Sequence, residues 1–326
     1  EEFEIAHENV AQVAIQTPVL HSHYLSELVG AEVYLKCENL QRTGAYKLRG
    51  AFNRMSKLTA EERKKGVVAA SAGNHAQGVA LAAKRLGIKA TIFMPVGASL
   101  PKFQATQNYG AEVVLEGAVF GETLKAAKEY SAAKGAIFIP PFDHIDVVTG
   151  QGTVGLEILD QVPDVTTILV AIGGGGLAAG VAVAAKLKAA KQGRKIKVIG
   201  VQAKNAASYV PSLKAGKEVE IKTERTIADG IAVAKPGHIP FELIAKHIDK
   251  VVTVSDDEIA KAIVVLMERA KQVVEPAGAA AVAALMSGAY KPKGKTVAVL
   301  SGGNIDPLLM QKIIGFGLTA SERYTT

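Results

Sequence analysis

Thr166 to Ala190, TTILVAIGGGGLAAGVAVAAKLKAA, reads as a buried strand, a four-glycine turn and a helix in immediate succession. Ile168 to Ile172 is an apolar run of the length expected of a strand covered on both faces, and strong helix formers follow from Leu177. Gly173, Gly174, Gly175 and Gly176 lie at the junction. There the backbone can approach a ligand closely, and the free N–H groups and dipole of the following helix favour a phosphate. A phosphate cradle is the first expectation, and three other readings stay open on these residues alone. Val165 to Ala185 carries no charge and is long enough for a membrane span, although the central glycines argue against a stable spanning helix. Gly173, Gly175 and Ala178 fit the G-x-G-x-x-G/A dinucleotide fingerprint. The next strand, Lys197 to Gln202, is however followed by Ala203 and Lys204, where that fold wants an acid for a ribose. The third reading is a turn with a purely structural role.

Working outward, the same grammar repeats. Val67 to Ala70 reads as a short strand running into Ser71-Ala72-Gly73-Asn74-His75 and a helix that Gly87 closes. Thr296 to Leu300 reads as another, ending in Ser301-Gly302-Gly303-Asn304. Strands at Ala90–Met94, Val113–Leu115 and Ala136–Ile139 alternate with helical stretches, which argues for α/β architecture with parallel sheets covered by helices. Ligands in such sheets bind at the carboxyl ends of strands, so three glycine turns at those ends imply a shared cleft. Asn74 and Ser301 are then either polar groups directed into it or simple helix caps. Thr59 and Ser255 each have capping-box spacing. Gly150-Gln151-Gly152-Thr153 reads as a glycine-bearing helix start, and the stretch after Lys204, with Tyr209 and Pro211, as loops.

The composition narrows the function. A chain of 326 residues with 48% hydrophobic content has room for two domains and a large core. Its net charge of +7 is scattered, with no tryptophan and no basic run interleaved with aromatics. Nucleic acid is therefore not expected, and an anionic small molecule or phosphorylated cofactor fits better. No membrane partner is expected either. His21 and His23 are close together without further ligand-type residues, so no metal site is expected. Cys37 stands alone, which excludes an internal disulfide and points to a reducing compartment, so a cytoplasmic location is expected. The first residues, EEFEIAHENV, resemble no signal peptide; lacking a methionine, they leave room for a segment removed ahead of residue 1. Lys47 opens a helix after a glycine-containing loop. An arbitrary lysine is solvated, but one beside helix amides, Arg49 and a cleft has reason for a lowered pKa.

TGAYKLRGA at 43–51, SAGNHAQG at 71–78, GGGGL at 173–177, TIADG at 226–230, VEPAGA at 274–279 and SGGN at 301–304 stand in an order and spacing that resembles the fold-type II pyridoxal phosphate enzymes. Threonine dehydratases (threonine ammonia-lyases) resemble it most, with serine dehydratase and serine racemase as near relatives; the likeness runs from about Thr17 to Gly317. It implies a fold of two open, twisted, mostly parallel sheets flanked by helices. It also implies a small domain of residues 53–143 inserted in a larger one of 1–52 and 144–326. On this resemblance Lys47 forms the Schiff base with pyridoxal 5'-phosphate, beside Tyr46. Gly173 to Gly176 and Leu177 hold its phosphate, Asn74 meets the ring hydroxyl, Ser301 faces the ring nitrogen, and Glu275 lines the cleft. Ser71, Ala72, Gly73, Asn74 and His75 clamp the substrate carboxylate. The implied reaction is β-elimination from L-threonine to 2-oxobutanoate and ammonia, with L-serine also accepted, by a homodimer or homotetramer.

Departures from the pattern carry expectations of their own. Racemase relatives have a serine as second base where this chain has Ala72, so dehydration with little racemisation is expected. Lys204, Asn205, Ala206 and Ala207 replace the acidic cluster that binds a divalent metal in that relative. Ala45 and Tyr46 stand where serine and phenylalanine are usual. Longer threonine dehydratases continue past a segment like GFGLTASERY into a regulatory domain, and control through such a domain is not expected here. β-Replacement enzymes such as cysteine synthase differ at SAGNH and TGAYK. A nicotinamide enzyme and a non-catalytic amino-acid-binding module are the alternatives outside the family.

Overall fold

The computed structural model describes residues 1–320; Ser321 to Tyr324 of the GFGLTASERY segment lie outside the described residues. Helix α1 (Glu2–Val10) leads through β1 (Val19–His21), α2 (His23–Val29) and β2 (Val33–Cys37) to α3 (Lys47–Ser56). A second unit follows: α4 (Ala60–Lys65), β3 (Val67–Ala70), α5 (Asn74–Leu86), β4 (Ala90–Met94), α6 (Leu100–Asn108), β5 (Glu112–Leu115), α7 (Phe120–Lys134) and β6 (Ile137–Phe138). The chain then returns through α8 (Ile145–Gln161), β7 (Thr167–Ala171), α9 (Gly176–Lys191), β8 (Lys197–Ala203), α10 (Tyr209–Ala215) and α11 (His238–His247). It finishes with β9 (Lys250–Val254), α12 (Asp256–Val265), α13 (Pro276–Met286), β10 (Thr296–Leu300) and α14 (Pro307–Ala320).

Two sheets result. Six strands run in the order β1-β2-β10-β7-β8-β9 and four in the order β5-β4-β3-β6, all pairs parallel except β1 against β2. β3, β4, β7 and β10 are buried at every position, as central parallel strands covered on both faces must be. The three glycine turns do end parallel strands, but not on one edge: two close neighbouring strands of the larger sheet, while Ser71 to Asn74 closes β3 of the smaller. No described helix is long and apolar enough to cross a membrane.

Both capping boxes form, with Thr59 and Glu62 at α4 and Ser255 and Glu258 at α12 closing reciprocal hydrogen bonds. Two local expectations need correction. Helix α8 starts at Ile145 with the His144 side chain accepting from Asp146 N, so Gly150, Gly152 and Gly155 sit inside it. They are contact surfaces, not a helix start. A Cβ on Gly150 would stand 2.7 Å from Gly50 Cα, and one on Gly180 of α9 would stand 2.6 Å from Gly152 N. Helices α3, α8 and α9 thus meet at backbone distance. The second correction is α10, read from sequence as loop: Pro211 occupies its first turn, where no intrahelical N–H is required.

Beneath α3 lies a buried charge cluster that no sequence pattern announced. Arg49 donates to Glu38 at 2.8 and 2.9 Å and to Glu157 at 2.7 and 2.9 Å. Lys36 donates to Glu157 at 2.6 Å and to Thr17 O and Gln161 at 2.8 Å. Two cations face two carboxylates, so the buried charge is balanced and every carboxylate oxygen accepts at least one hydrogen bond.

Candidate active site

Lys47 is the first residue of α3, and its Nζ donates to Pro141 O at 2.7 Å, 5.4 Å from the Tyr46 ring centroid. Burial pushes its pKa down to about 8, with the Glu275 carboxylate opposing the shift. An amine so placed has a larger neutral, nucleophilic fraction near neutral pH than a solvated lysine, and the neutral form dominates above pH 8.

Two helix starts lie next to residues that bear on this amine: Phe142, adjoining Pro141, packs on Gly174 and Gly176 before α9, and Asn74 at the start of α5 bonds Glu275. α9 begins at Gly175, which has φ of 104° and offers no side-chain cap, and its first turn contains no acid. The first intrahelical bond runs from Ala179 N to Gly175 O at 2.9 Å, so the N–H groups of Gly176, Leu177 and Ala178 precede it. α5 begins the same way at Gly73, again without a side-chain cap, and its first bond runs from Gln77 N to Gly73 O at 3.4 Å. Uncapped, positively polarised helix ends are anion sites, and the cleft therefore offers two.

The remaining sequence-predicted residues fall into two groups. Tyr46, Lys47, Asn74, Glu275 and Ser301 converge: Tyr46 N donates to Ser301 O at 3.2 Å, Glu275 N to Gly302 O at 3.1 Å, and Asn74 Nδ2 to Glu275 Oε1 at 2.6 Å. Burial lifts Glu275 to about 7, against the hydrogen bond from Asn74. Ser71 Oγ accepts from Gly73 N at 3.1 Å and shapes the turn containing Ala72. The Leu177 side chain packs in the core under β7, leaving its backbone N–H toward the cleft end. The His75 imidazole is likewise buried, its Nε2 bonded to Ile139 O at 2.8 Å; burial and the Lys47 charge push it down to about 3, so it stays neutral. At both positions it is the backbone that is left to the cleft.

Several site residues escaped the sequence reading. Pro141, Phe142 and Asp143, in the return from the smaller sheet, connect everything: Pro141 O holds Lys47, and Phe142 packs on Gly174, Gly176 and Gly237. Asp143 caps α11 by accepting from His238 N at 3.0 Å and Ile239 N at 2.9 Å. Tyr209, fully buried, donates its hydroxyl to Gly174 O at 3.0 Å and stands where a Cβ on Gly175 would be. The one signal for 141–143 was position, just beyond the carboxyl end of β6; nothing in the local pattern marked Tyr209. Asn304, at the end of the SGGN turn, donates to Asn74 Oδ1 at 2.8 Å.

A model of the pyridoxal-phosphate dependent enzyme family matches residues 10–302. The chain belongs to that family. It is 49% identical over 324 residues to an L-threonine ammonia-lyase of Thermotoga maritima, covering 99% of this chain and 80% of that one. The processed form of threonine deaminase isoform 2 from Solanum lycopersicum superimposes with a TM-score of 0.91 at 40% identity, over 97% of this chain and 92% of that one. Maize serine racemase does so with a TM-score of 0.90 at 34% identity, over 98% of each. Two mostly parallel sheets flanked by helices are thus the fold-type II arrangement of these pyridoxal phosphate enzymes. The residues present suit the cofactor: an amine with a lowered pKa for its aldehyde and an uncapped, acid-free helix start for its phosphate.

Proposed function

We propose that this protein eliminates the β-hydroxyl and then the amino group of L-threonine, giving 2-oxobutanoate and ammonia, and that it converts L-serine to pyruvate in the same way. One set of observations carries the reading: Pro141 O holds the Lys47 amine, the adjoining Phe142 packs on the uncapped start of α9, and Asn74 at the uncapped start of α5 bonds Glu275, whose carboxylate bears on Lys47, so one site can bind a phosphate, a carboxylate and a carbonyl carbon together. The relatives named for threonine deamination, at 49% and 40% identity, supply the substrate. Pyridoxal phosphate, when bound, supplies the electron sink for loss of the Cα proton.

In this reading the Lys47 amine would hold the cofactor by its aldehyde carbon and, when not so engaged, would be the base placed to take the Cα proton. Gly173 to Gly176 and the Leu177 N–H grip the phosphate, Asn74 meets the ring oxygen, Glu275 lines the cleft, and the α5 start, Ser71 to His75, receives the substrate carboxylate. Ser301 faces the ring nitrogen. A hydroxyl cannot give that nitrogen a full proton, so the bound ring would be a weaker electron sink than one paired with an acid, which suits elimination. Ala72 has no proton to exchange on the opposite face of Cα, which is why dehydration is favoured over racemisation despite the likeness to maize serine racemase. The reading includes a small domain of residues 53–143 within a larger one of 1–52 and 144–326, supported by the four strands between Val67 and Phe138. It also includes a cytoplasmic homodimer or homotetramer.

Incubation with L- and D-threonine and L- and D-serine, following 2-oxo acid and enantiomer together, tests the proposal. Rapid 2-oxo acid formation from the L-isomers is expected, and racemised serine as the main product would overturn it. Borohydride reduction followed by peptide mass spectrometry is expected to place the cofactor on Lys47.

A further inference from the structure

Asn304 lies in a slot made for a carboxamide. Gly44, with φ of 75°, leaves room that a Cβ would fill, standing 2.9 Å from Asn304 Cγ, and Gly303 N clasps Gly44 O at 2.8 Å. Asn304 Nδ2 reaches Thr43 O at 2.6 Å and Asn74 Oδ1 at 2.8 Å. A backbone carbonyl can only accept, so the amide nitrogen of Asn304 must face Thr43, and its second N–H must point at Asn74. That in turn sets the Asn74 carboxamide with its oxygen toward Asn304 and its nitrogen toward Glu275 Oε1, at 2.6 Å. One N–H of Asn74 is left over. The chain of bonds crosses from the larger-sheet loops at 43–44 and 302–304 to the first residue of α5, and on to the residue before α13.

We propose that Asn304 is a positioning residue that fixes which end of Asn74 is offered to the cofactor. Through it Asn74 presents an N–H donor, not its carbonyl, to the ring oxygen, and so favours the deprotonated form of that oxygen. The inference rests on the placement of pyridoxal phosphate in the proposed function. Glu275 holds the far end of the same amide. The charged groups bearing on that carboxylate are Lys102 of α6, Lys47 of α3 and Asp229 of the TIADG segment.

A double-mutant cycle on cofactor affinity tests it. Apoprotein carrying Asn304→Ala, Asn74→Ala or both is titrated with pyridoxal phosphate, and the visible absorbance of the bound cofactor is followed as a function of pH. Asn304→Ala is expected to weaken binding roughly tenfold in the wild-type background and to cause no further loss when Asn74 is already alanine. The absorbance transition is expected to move to higher pH. Asn304→Asp, close in shape but unable when ionised to donate, is expected to do the same, and apoprotein melting curves check that both variants fold. Equal losses in the two backgrounds, or none in either, overturn the inference while leaving the proposed function standing as long as borohydride fixes the cofactor on Lys47. A Lys47 that borohydride leaves unmodified in the wild type would bring down both.

Discussion

Lys47 and Glu275 are perturbed in opposite senses by the same burial. For Lys47 the native pKa of about 8 lies below the ordinary lysine value of 10.5, so the neutral amine dominates in the folded protein once pH exceeds 8. Reductive methylation of the apoprotein, read at this residue by mass spectrometry, is expected to rise with a midpoint near pH 8. Burial pushes Glu275 up to about 7 in the fold, against an ordinary glutamate value of 4.5. Between those values the native state holds more protons than the unfolded chain, so its contribution to stability falls as pH rises through that window. Glu275→Gln is expected to remove this slope in apoprotein melts compared at pH 5 and pH 8. His75 runs the other way. Its native value of about 3 lies below the ordinary histidine value of 6.5, so its contribution is lost as pH falls through that range. Wild-type melts alone superimpose the two effects, and the Glu275 variant separates them.

At the scale of elements, the glycine loop is shaped by what packs on it as much as by its own freedom. Tyr209 of α10 holds Gly174 O, and Phe142 closes the other side. Tyr209→Phe removes one buried hydrogen bond, leaves Gly174 O with its bond from Gly237 N, and is expected to cost about 1 kcal/mol of stability. Weaker cofactor binding should accompany it; unchanged affinity would mean that the loop keeps its form without the phenol. The contact of α8 with α9 is the more sensitive element. A side chain at Gly180 meets Val148 O and the Gly152 backbone, neither of which can rotate away. Gly180→Val is expected to destabilise by about 1–3 kcal/mol or more, measured by denaturant unfolding. Gly193→Ala is a useful contrast, because space there is open and only the left-handed backbone, with φ of 68°, opposes the change.

Across the whole molecule, the buried cluster of Lys36, Glu38, Arg49 and Glu157 ties β2, α3 and α8 into one body, with the lysine-bearing helix start two residues from Arg49. Removing Arg49 leaves Glu38 with only Thr17 and burdens Glu157 with a single cation. Arg49→Met is expected to cost about 3–5 kcal/mol in chemical denaturation. A cost below 1 kcal/mol would show that water or rearrangement satisfies the carboxylates. Cross-cleft contacts are thinner. Lys102 of α6 stands 3.7 Å from Asp229, and Tyr109 bonds Arg42 O at 3.3 Å. Such exposed pairs contribute little, which leaves the Asn304–Asn74–Glu275 chain as the better-buried polar link across the cleft.

What the chain declared unaided was everything governed by local rules. Strand runs such as Val67–Ala70, the caps at Thr59 and Ser255, the glycine turn before α9 and the lysine opening α3 all follow from φ freedom, periodicity and the open N–H groups of helix starts. What only the tertiary structure decided were pairings between distant residues. Gly150 and Gly152 looked like punctuation because their partners, Gly50 and Gly180, are remote in sequence. Pro211 looked like a break because its place in a first turn depends on where α10 begins. Pro141, Tyr209 and Asn304 gain their roles from contacts with Lys47, Gly174 and Asn74 across 94, 35 and 230 residues. Close packing and hydrogen-bond direction are properties of position in space, and a linear pattern holds no record of them.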